Sequence, residues 1–360
     1  MQKYCGMKKG RLQFFKFTYI IIWKEKWYFI IIQNLKIMRI DEINKKRKEK
    51  SSLMEKEFLK NIVPEFLYKM LVEQYGEELT CKIIEGYTQK RKVTLRVNTL
   101  KENKKNIEKI LNSNDIFLKN INWYEDAFII ENVREDKIKS LDIFENGKIY
   151  LQSLSSMIPP VILNPKENEN ILDMAAAPGG KTTQMVALSK NKAMITACEK
   201  NKIRAEKLKY NLEKQGASRT NVMIEDARNL SDYFSFDKIL LDAPCSGSGT
   251  VYIENGKFPF NLTVELINKS AKTQEQLLIK ALKILKPKGE MIYSTCSILE
   301  KENEEILKKV LNKFNAEIIP IQEEWIKEIP TLPVKIEGTL CVCPNELYEG
   351  FFVAKIRKNK

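Results

Sequence analysis

The sequence predicts an α/β protein: a doubly wound, mainly parallel sheet from about Gly147 onward, preceded by a smaller α/β domain. Three observations carry this. Short apolar runs alternate with helical stretches over the C-terminal part of the chain, the rhythm of a parallel sheet wound with helices. Small residues and paired glycines follow the first run, in AAAPGGK, where a backbone turns tightly. Acids and cysteines follow the later runs, at the strand ends where ligands of such sheets bind. With 360 residues, 43% of them hydrophobic, the chain can bury one large core and a smaller one.

Taken in order, residues 57–87 have a helical period, with Phe58, Ile62, Phe66, Met70 and Leu71 at three- and four-residue spacings. VTLRVNTL (93–100) is rich in β-branched and apolar residues and reads as a strand, and KENKKNIEKILN (101–112) returns to a helical period. These segments delimit a small α/β domain over residues 54–146 that lacks a catalytic constellation and suits a substrate-gripping role. In the catalytic domain, residues 147–360, the predicted strands are NILDM (170–174), AMITAC (193–198), NVMIE (221–225), FDKILLD (236–242) and GEMIYS (289–294). Helical stretches separate most of them: KTTQMVALSK, KIRAEKLKYNLEKQG and residues 273–286, whose Leu277, Leu278, Ala281, Leu282 and Leu285 make an apolar stripe.

Composition narrows the chemistry. Lys and Arg number 61 against 47 Asp and Glu, a net charge of +14 that favours polyanionic partners through counterion release. The surplus of Lys, Asn and Ile also fits coding by an AT-rich genome. No histidine is present, which excludes His-based zinc sites, Ser-His-Asp triads and an imidazole base. Seven cysteines, an odd number, fit reduced cytoplasmic thiols rather than a disulfide framework. Cys341 and Cys343 form a CxC pair without a second pair at zinc-ribbon spacing, so a structural role and no bound metal are expected. The apolar blocks of residues 14–32 are interrupted by Lys24, Glu25 and Lys26 and fall short of the ~18–20 residues of a bilayer span. Residues 1–53 are therefore expected to be a basic and apolar extension, a membrane anchor and a basic RNA-binding arm being the competing readings, with Met38 or Met54 as candidate native starts.

The strand ends carry the candidate site. AAAPGGKTTQ excludes a Walker phosphate loop by its spacing but suits a nucleotide-like ligand at a helix N-terminus. Glu199 follows the second run, where an acid commonly takes ribose hydroxyls, and Asp226 follows the third. Asp242 and Cys245 follow the fourth in LLDAPCSGSGT, and Cys296 ends the fifth in YSTCSI. Two cysteines at adjacent strand ends face one crevice; either alone would be a small buried hydrophobe.

AAAPGGKTTQ, DAPCSGSGT and YSTCSI followed by ENEE resemble the motifs of the Sun-type RNA cytosine carbon-5 methyltransferases, nearest to their bacterial ribosomal-RNA branch. LRVNTL, YLQSLSS, TQEQLL and EGFFVAKIRK resemble the same family, in order from about Val63 to the C-terminus. The resemblance implies a Rossmann-like domain dependent on S-adenosylmethionine, RNA as partner, ribosomal RNA before transfer RNA, and a cytoplasmic monomer without membrane or metal partners. It assigns the attacking nucleophile to Cys296 and the release-assisting thiol to Cys245, which spacing alone does not rank. Asp242 would bond the cytosine edge, as an acid if protonated, and lie beside the cofactor; Lys181 would place the base and favour a thiolate at Cys296. Ala175, Ala176, Ala177, Pro178, Gly179, Gly180 and Lys181, with Glu199, Arg204, Asp226 and Asp242, would hold S-adenosylmethionine.

The chemistry agrees with that assignment on its own terms. Carbon 5 of cytosine is too weak a nucleophile to take a methyl group from a sulfonium until a thiolate adds to carbon 6. Departures from the family pattern are Glu199 for the usual Asp, KPKGE for a Gly-Gly turn, expected to be harmless, and Tyr252 with the FPF segment where a basic residue usually follows the GSGT loop. A further RNA-binding domain, present after the catalytic one in some relatives, is not expected here. Two rival readings are another class of adenosylmethionine enzyme and a non-catalytic RNA-binding or assembly protein.

Overall fold

The computed structural model describes residues 57–259 and 262–359. The chain divides into two compact units, Met1–Lys60 and Asn61–Lys360. The expected extension over residues 1–53, with Met38 and also Met54, lies outside the described residues, as does Phe260 of the FPF segment. The second unit holds both sheets and the helices that cover them.

Helix α1 (Glu65–Thr88) begins after Pro64 and is kinked at Gly76, whose φ of 77° and ψ of 167° are reached cheaply only without a side chain. The helical period of residues 57–87 thus spans a break at residues 62–64 and a kink at Gly76. Apolar spacing registers neither break, because it reports which face is buried and not whether the backbone stays helical.

The smaller sheet is antiparallel, ordered β2-β3-β1-β4, from β1 (Val93–Val97), β2 (Leu118–Asn120), β3 (Ala127–Ile130) and β4 (Ile149–Leu151). Leu95, Val97, Phe128, Ile130 and Ile149 share a core with Ile107 and Leu111 of α2 (Lys104–Ser113), which Asn103 caps through Asn106 N–H. Ala127 and Ile129 alternate to the other face and join Leu154, Met157 and Ile158 in the larger core. Both faces are therefore covered. Strand β4 follows the short helices α3 (Glu135–Lys139) and α4 (Asp142–Glu145) and pairs with β1, so the smaller sheet runs past the division expected at residues 146/147.

The larger sheet runs β11-β12-β13-β9-β8-β5-β6-β7, with β10 (Ala316–Ile319) paired to β13 (Phe351–Lys358). Its parallel part is β5 (Asn170–Asp173), β6 (Met194–Cys198), β7 (Thr220–Met223), β8 (Phe236–Asp242) and β9 (Leu285–Thr295). The chain winds outward through β6 and β7 and returns beside β5 as β8, so the order reverses between β5 and β8. Ligands of doubly wound sheets bind beyond the strand ends at such a reversal. Helices α5 (Leu154–Leu163), α6 (Gly180–Leu188) and α7 (Lys202–Gln215) pack together, and α8 (Val264–Ile284) packs with α9 (Glu304–Leu311). The antiparallel edge of β13, β12 (Leu340–Val342) and β11 (Thr331–Leu332) completes the sheet.

Helix α5 is absent from the sequence reading because Pro159 and Pro160 stand inside it, and proline ordinarily signals a helix end. The KPKGE turn differs from the expectation of a harmless exchange. Lys288 sits at φ 63°, a left-handed backbone that costs a residue with a side chain roughly 1–2 kcal/mol. Among the described residues no helix is long and apolar enough to cross a membrane.

Candidate active site

Five strand ends carry the candidate residues. Asp173 ends β5, Glu199 follows β6, Asp226 follows β7, Asp242 ends β8 and Cys296 follows β9. The loop from Ala175 to Gly180 leads into α6, whose N-cap is Gly179 at φ 106°. A cleft of about 510 Å³ is lined by Asp173, Ala175–Pro178, Gly180, Lys181, Asp242 and Cys296, with Tyr150 and Ser156 from the preceding segment. A second hollow beyond Ala175 is walled by Glu199, Arg204, Asp226, Ala227, Pro244 and Leu277. The expected residues therefore fall into two adjoining groups that share Ala175.

On the floor of the cleft, Lys181 Nζ donates to Asp242 Oδ2 at 2.8 Å and to Ser156 Oγ at 2.8 Å. Ser294 Oγ donates to Asp242 Oδ1 at 2.8 Å. Both carboxylate oxygens of Asp242 accept in this arrangement. Lys181 has three N–H groups and spends two here. Burial draws the Lys181 amine down, but the Asp242 carboxylate and a thiolate at Cys296 more than offset this, and its pKa lies above the ordinary lysine value.

The cysteines meet: Cys245 Sγ lies 2.8 Å from Cys296 Sγ, and both are free thiols. Of the two, Cys296 lines the cleft. The hydrogen bond to Cys296 and burial push the Cys245 thiol well up, as do the charges of Cys296 and Glu302, so Cys245 keeps its proton. A buried carboxylate ties the two cysteine loops together. Glu302 accepts from Ser246 N–H at 2.6 Å, from Ser246 Oγ at 2.5 Å and from Ser297 Oγ at 2.6 Å. Asn303 accepts from Thr295 Oγ1 at 2.6 Å and donates to the Ser297 carbonyl at 2.9 Å. The GSGT loop is drawn in as well: Gly249 N–H donates to the Cys296 carbonyl at 2.9 Å, and a Cβ at Gly249 would stand 2.0 Å from the Gly350 carbonyl oxygen.

Sequence reasoning missed Ser156, Ser294, Glu302 and Asn303 as site residues. Ser156 lay hidden with α5. Glu302 and Asn303 stood in the ENEE segment, where nothing local marks a carboxylate that folding buries completely.

The residues present fit S-adenosylmethionine. Asp173 Oδ1 is buried and has no hydrogen-bond partner among the described residues, while its Oδ2 accepts from Thr182 Oγ1 at 2.7 Å. An orphaned carboxylate oxygen beside the cleft is matched to a cationic ligand. Burial pushes the Asp173 carboxyl up to about 6; the Thr182 bond opposes this and the Asp242 charge adds to it. Glu199 is buried and accepts from Asn201 N–H at 2.8 Å. Arg204 acts as a brace, its guanidinium bonding the Ala177 carbonyl at 2.7 Å and pairing with Glu199 at 3.3 Å. Asp226 is held by Arg228 at 2.6 Å and caps the turn after β7.

Residues 160–357 match the model of the 16S rRNA methyltransferase RsmB/F family, and residues 63–135 match the RsmF/B-like ferredoxin-like domain. The chain belongs to the RsmB/F methyltransferase family. This family's enzymes are S-adenosylmethionine-dependent RNA cytosine-5 methyltransferases, in agreement with the Sun-type resemblance of the motifs. The tRNA (cytosine(49)-C(5))-methyltransferase of Pyrococcus abyssi is 35% identical over 81% of this chain and 96% of its own length. Ribosomal RNA small subunit methyltransferase F of Aliivibrio salmonicida is 36% identical over 74% of this chain and 58% of its own length, so the chain spans little more than half of that relative. A crystal structure of a methyltransferase homologue from Pyrococcus horikoshii superposes with a TM-score of 0.74 at 32% identity, covering 85% of this chain and 99% of that one. No group of His, Cys, Asp and Glu able to hold a metal ion occurs among the described residues.

Proposed function

We propose that this RsmB/F-family chain methylates carbon 5 of an unstacked cytosine in structured RNA in the cytoplasm, with Cys296 as nucleophile. The observation that carries the reading is the meeting of Cys296, Asp242 and Lys181 in one cleft, with the Cys245 sulfur 2.8 Å from that of Cys296. S-adenosylmethionine, when bound, supplies the methyl group. Asp173, the 175–180 loop, Glu199 and Asp226 would hold it, with Arg204 bracing the loop.

The base must leave its stack for a thiol to reach carbon 6. Asp242 is suited to accept from the cytosine 4-amino group, as carboxylates do, and Lys181 to donate its third N–H to a ring acceptor. The Cys296 sulfur, as a thiolate, bonds to carbon 6, and the electron pair of the 5,6 double bond moves to carbon 5, which takes the methyl group as the methyl–sulfur bond of the sulfonium breaks and leaves a neutral thioether. Water then removes the carbon-5 proton, the double bond re-forms and the carbon–sulfur bond breaks. Cys245, 2.8 Å away, donates its S–H toward the departing sulfur.

Ribosomal RNA is the first substrate, following the family described for residues 160–357. Transfer RNA is the second reading, favoured by the archaeal tRNA enzyme that the chain matches over 96% of its length. Bisulfite sequencing of cellular RNA with and without the gene is expected to show one cytosine losing methylation in ribosomal RNA. Loss in transfer RNA instead selects the second reading, and no loss overturns both.

Asp173 provides a check on the cofactor site. A carboxyl raised from its unfolded value near 3.9 to about 6 binds its proton more tightly in the folded protein, so its contribution is fully present below pH 4 and is lost as pH rises through 6. Two pH units correspond to about 3 kcal/mol. Asp173→Asn is therefore expected to flatten the decline in stability of the ligand-free protein between pH 4 and pH 7 and to weaken S-adenosylmethionine binding. Urea titrations at both pH values and calorimetry check this. An unchanged pH slope, or unchanged affinity, removes Asp173 from the site.

A further inference from the structure

We propose that the RNA strand flanking the target cytosine runs through a second cleft continuous with the catalytic one. Its phosphates lie against Arg91, Lys92, Lys139 and Lys207, and one of its bases stacks on Tyr150. The inference rests on RNA methylation as the function and deepens it by naming the path.

The second cleft measures about 570 Å³ and continues the first: Tyr150, Leu151, Gln152, Ser153, Pro178 and Glu349 line both. Its cations come from separate parts of the fold. Arg91 and Lys92 lie between α1 and β1, Lys139 ends α3 and Lys207 belongs to α7, so the smaller sheet's domain and the catalytic domain each contribute. The acids in the same walls are already engaged. Glu135 pairs with Lys139 at 2.6 Å, and Glu349 accepts from Ser153 Oγ at 2.8 Å. Lys92 has only a 3.9 Å pairing with Glu346, and Lys207 makes no ion pair among the described residues. Such ammonium groups exchange small counterions for phosphates, which is the main source of affinity for a nucleic-acid backbone.

Arg91 links this track to the catalytic loops. Its Nη2 donates to the Val251 carbonyl at 3.3 Å, immediately after the GSGT loop, and its Nε is buried without a partner. The segment after GSGT has no cation of its own before Lys257, so Arg91 brings one from the other domain. Tyr150 stands where the two clefts join. The fully buried Arg96 guanidinium lies 5.0 Å from its ring centroid, and a Cβ on Gly180 would come within 3.2 Å of the ring edge. A ring fixed in this way is a stacking platform for a base of a single strand, which an aromatic face holds whatever its sequence.

The test uses a fluorescein-labelled single-stranded oligocytidine RNA, anisotropy titrations over a salt series, and turnover on ribosomal and transfer RNA. The triple variant Lys92→Gln, Lys139→Gln, Lys207→Gln is expected to make the log affinity against log salt slope shallower by about 2, at about 0.7 per phosphate contact. KM for RNA should rise more than kcat falls. Tyr150→Leu should weaken binding about tenfold and Tyr150→Phe far less, because the phenyl ring keeps the stack. Lys313→Gln, a charge removed from the turn after α9 and outside the residues that line either cleft, should leave binding unchanged. If wild type binds and methylates RNA while the triple variant keeps its slope, or if Lys313→Gln flattens the slope equally, the path is wrong and the function stands. If wild type neither binds nor methylates RNA, the function itself falls and the path with it.

Discussion

Cys296→Ala is expected to lower methyl transfer by at least about 10³-fold while S-adenosylmethionine still binds, since removal of a covalent nucleophile takes away most of the rate acceleration. Cys245→Ala should behave differently. The thiolate at position 296 still attacks, but the neighbouring S–H that assists departure is gone, so a covalent protein–RNA adduct should accumulate as a slow band on a denaturing gel. Both variants should fold, because each removes a single half-buried sulfur. Single-turnover assays with labelled cofactor give the rates, and the gel gives the adduct. An adduct in Cys296→Ala with none in Cys245→Ala would exchange the two roles.

Glu302→Ala is expected to be the most damaging change away from the reacting atoms. It removes a fully buried carboxylate that accepts three hydrogen bonds and takes from the Ser246 N–H and hydroxyl their partner, while the Ser297 hydroxyl keeps Ser248 Oγ and Leu299 N–H. Each buried donor left without its partner costs about 1–3 kcal/mol. Glu302 is a positioning residue, since Ser246 adjoins Cys245 and Ser297 adjoins Cys296, and misplacing a nucleophile by about 1 Å can cost on the order of 10²-fold. Glu302→Gln separates position from stability. Its carbonyl can still accept from Ser246 N–H while its amide donates to hydroxyls that rotate to accept. The expected result is a melting temperature near wild type, unchanged cofactor affinity and slower adduct formation. Wild-type adduct formation in a folded Glu302→Gln protein would reduce Glu302 to a purely structural part.

The parallel sheet was legible because its inner strands β5, β8 and β9 are largely buried and read as short apolar runs, each closed by a polar residue. The smaller sheet was legible only in part. In VTLRV, Thr94 and Arg96 alternate with Leu95 and Val97 as solvent-facing residues would, yet Arg96 is fully buried and bonds Gln152, the Gly180 carbonyl and Thr183 across to the cofactor loop. Alternation reports two faces and not what covers them. Strands β10 to β12 are two to four residues long, too short for a period to show. The break in the first helix and the left-handed Lys288 were hidden for a related reason: both are backbone events that side-chain patterns do not record.

The amino-acid sequence by itself determined the fold class, the absence of imidazole chemistry and the placement of two cysteines, several acids and a glycine-rich loop at strand ends. Those features are local, and hydrophobic period and turn chemistry encode them directly. Which cysteine lines the cleft, how close the two sulfurs stand, and that Lys181 pairs with Asp242 were decided only by tertiary structure. The reason is physical: burial, hydrogen-bond partners and neighbouring charges set a group's reactivity, and for Cys245, Cys296 and Glu302 those neighbours come from segments about fifty residues apart that meet only when the sheet is wound.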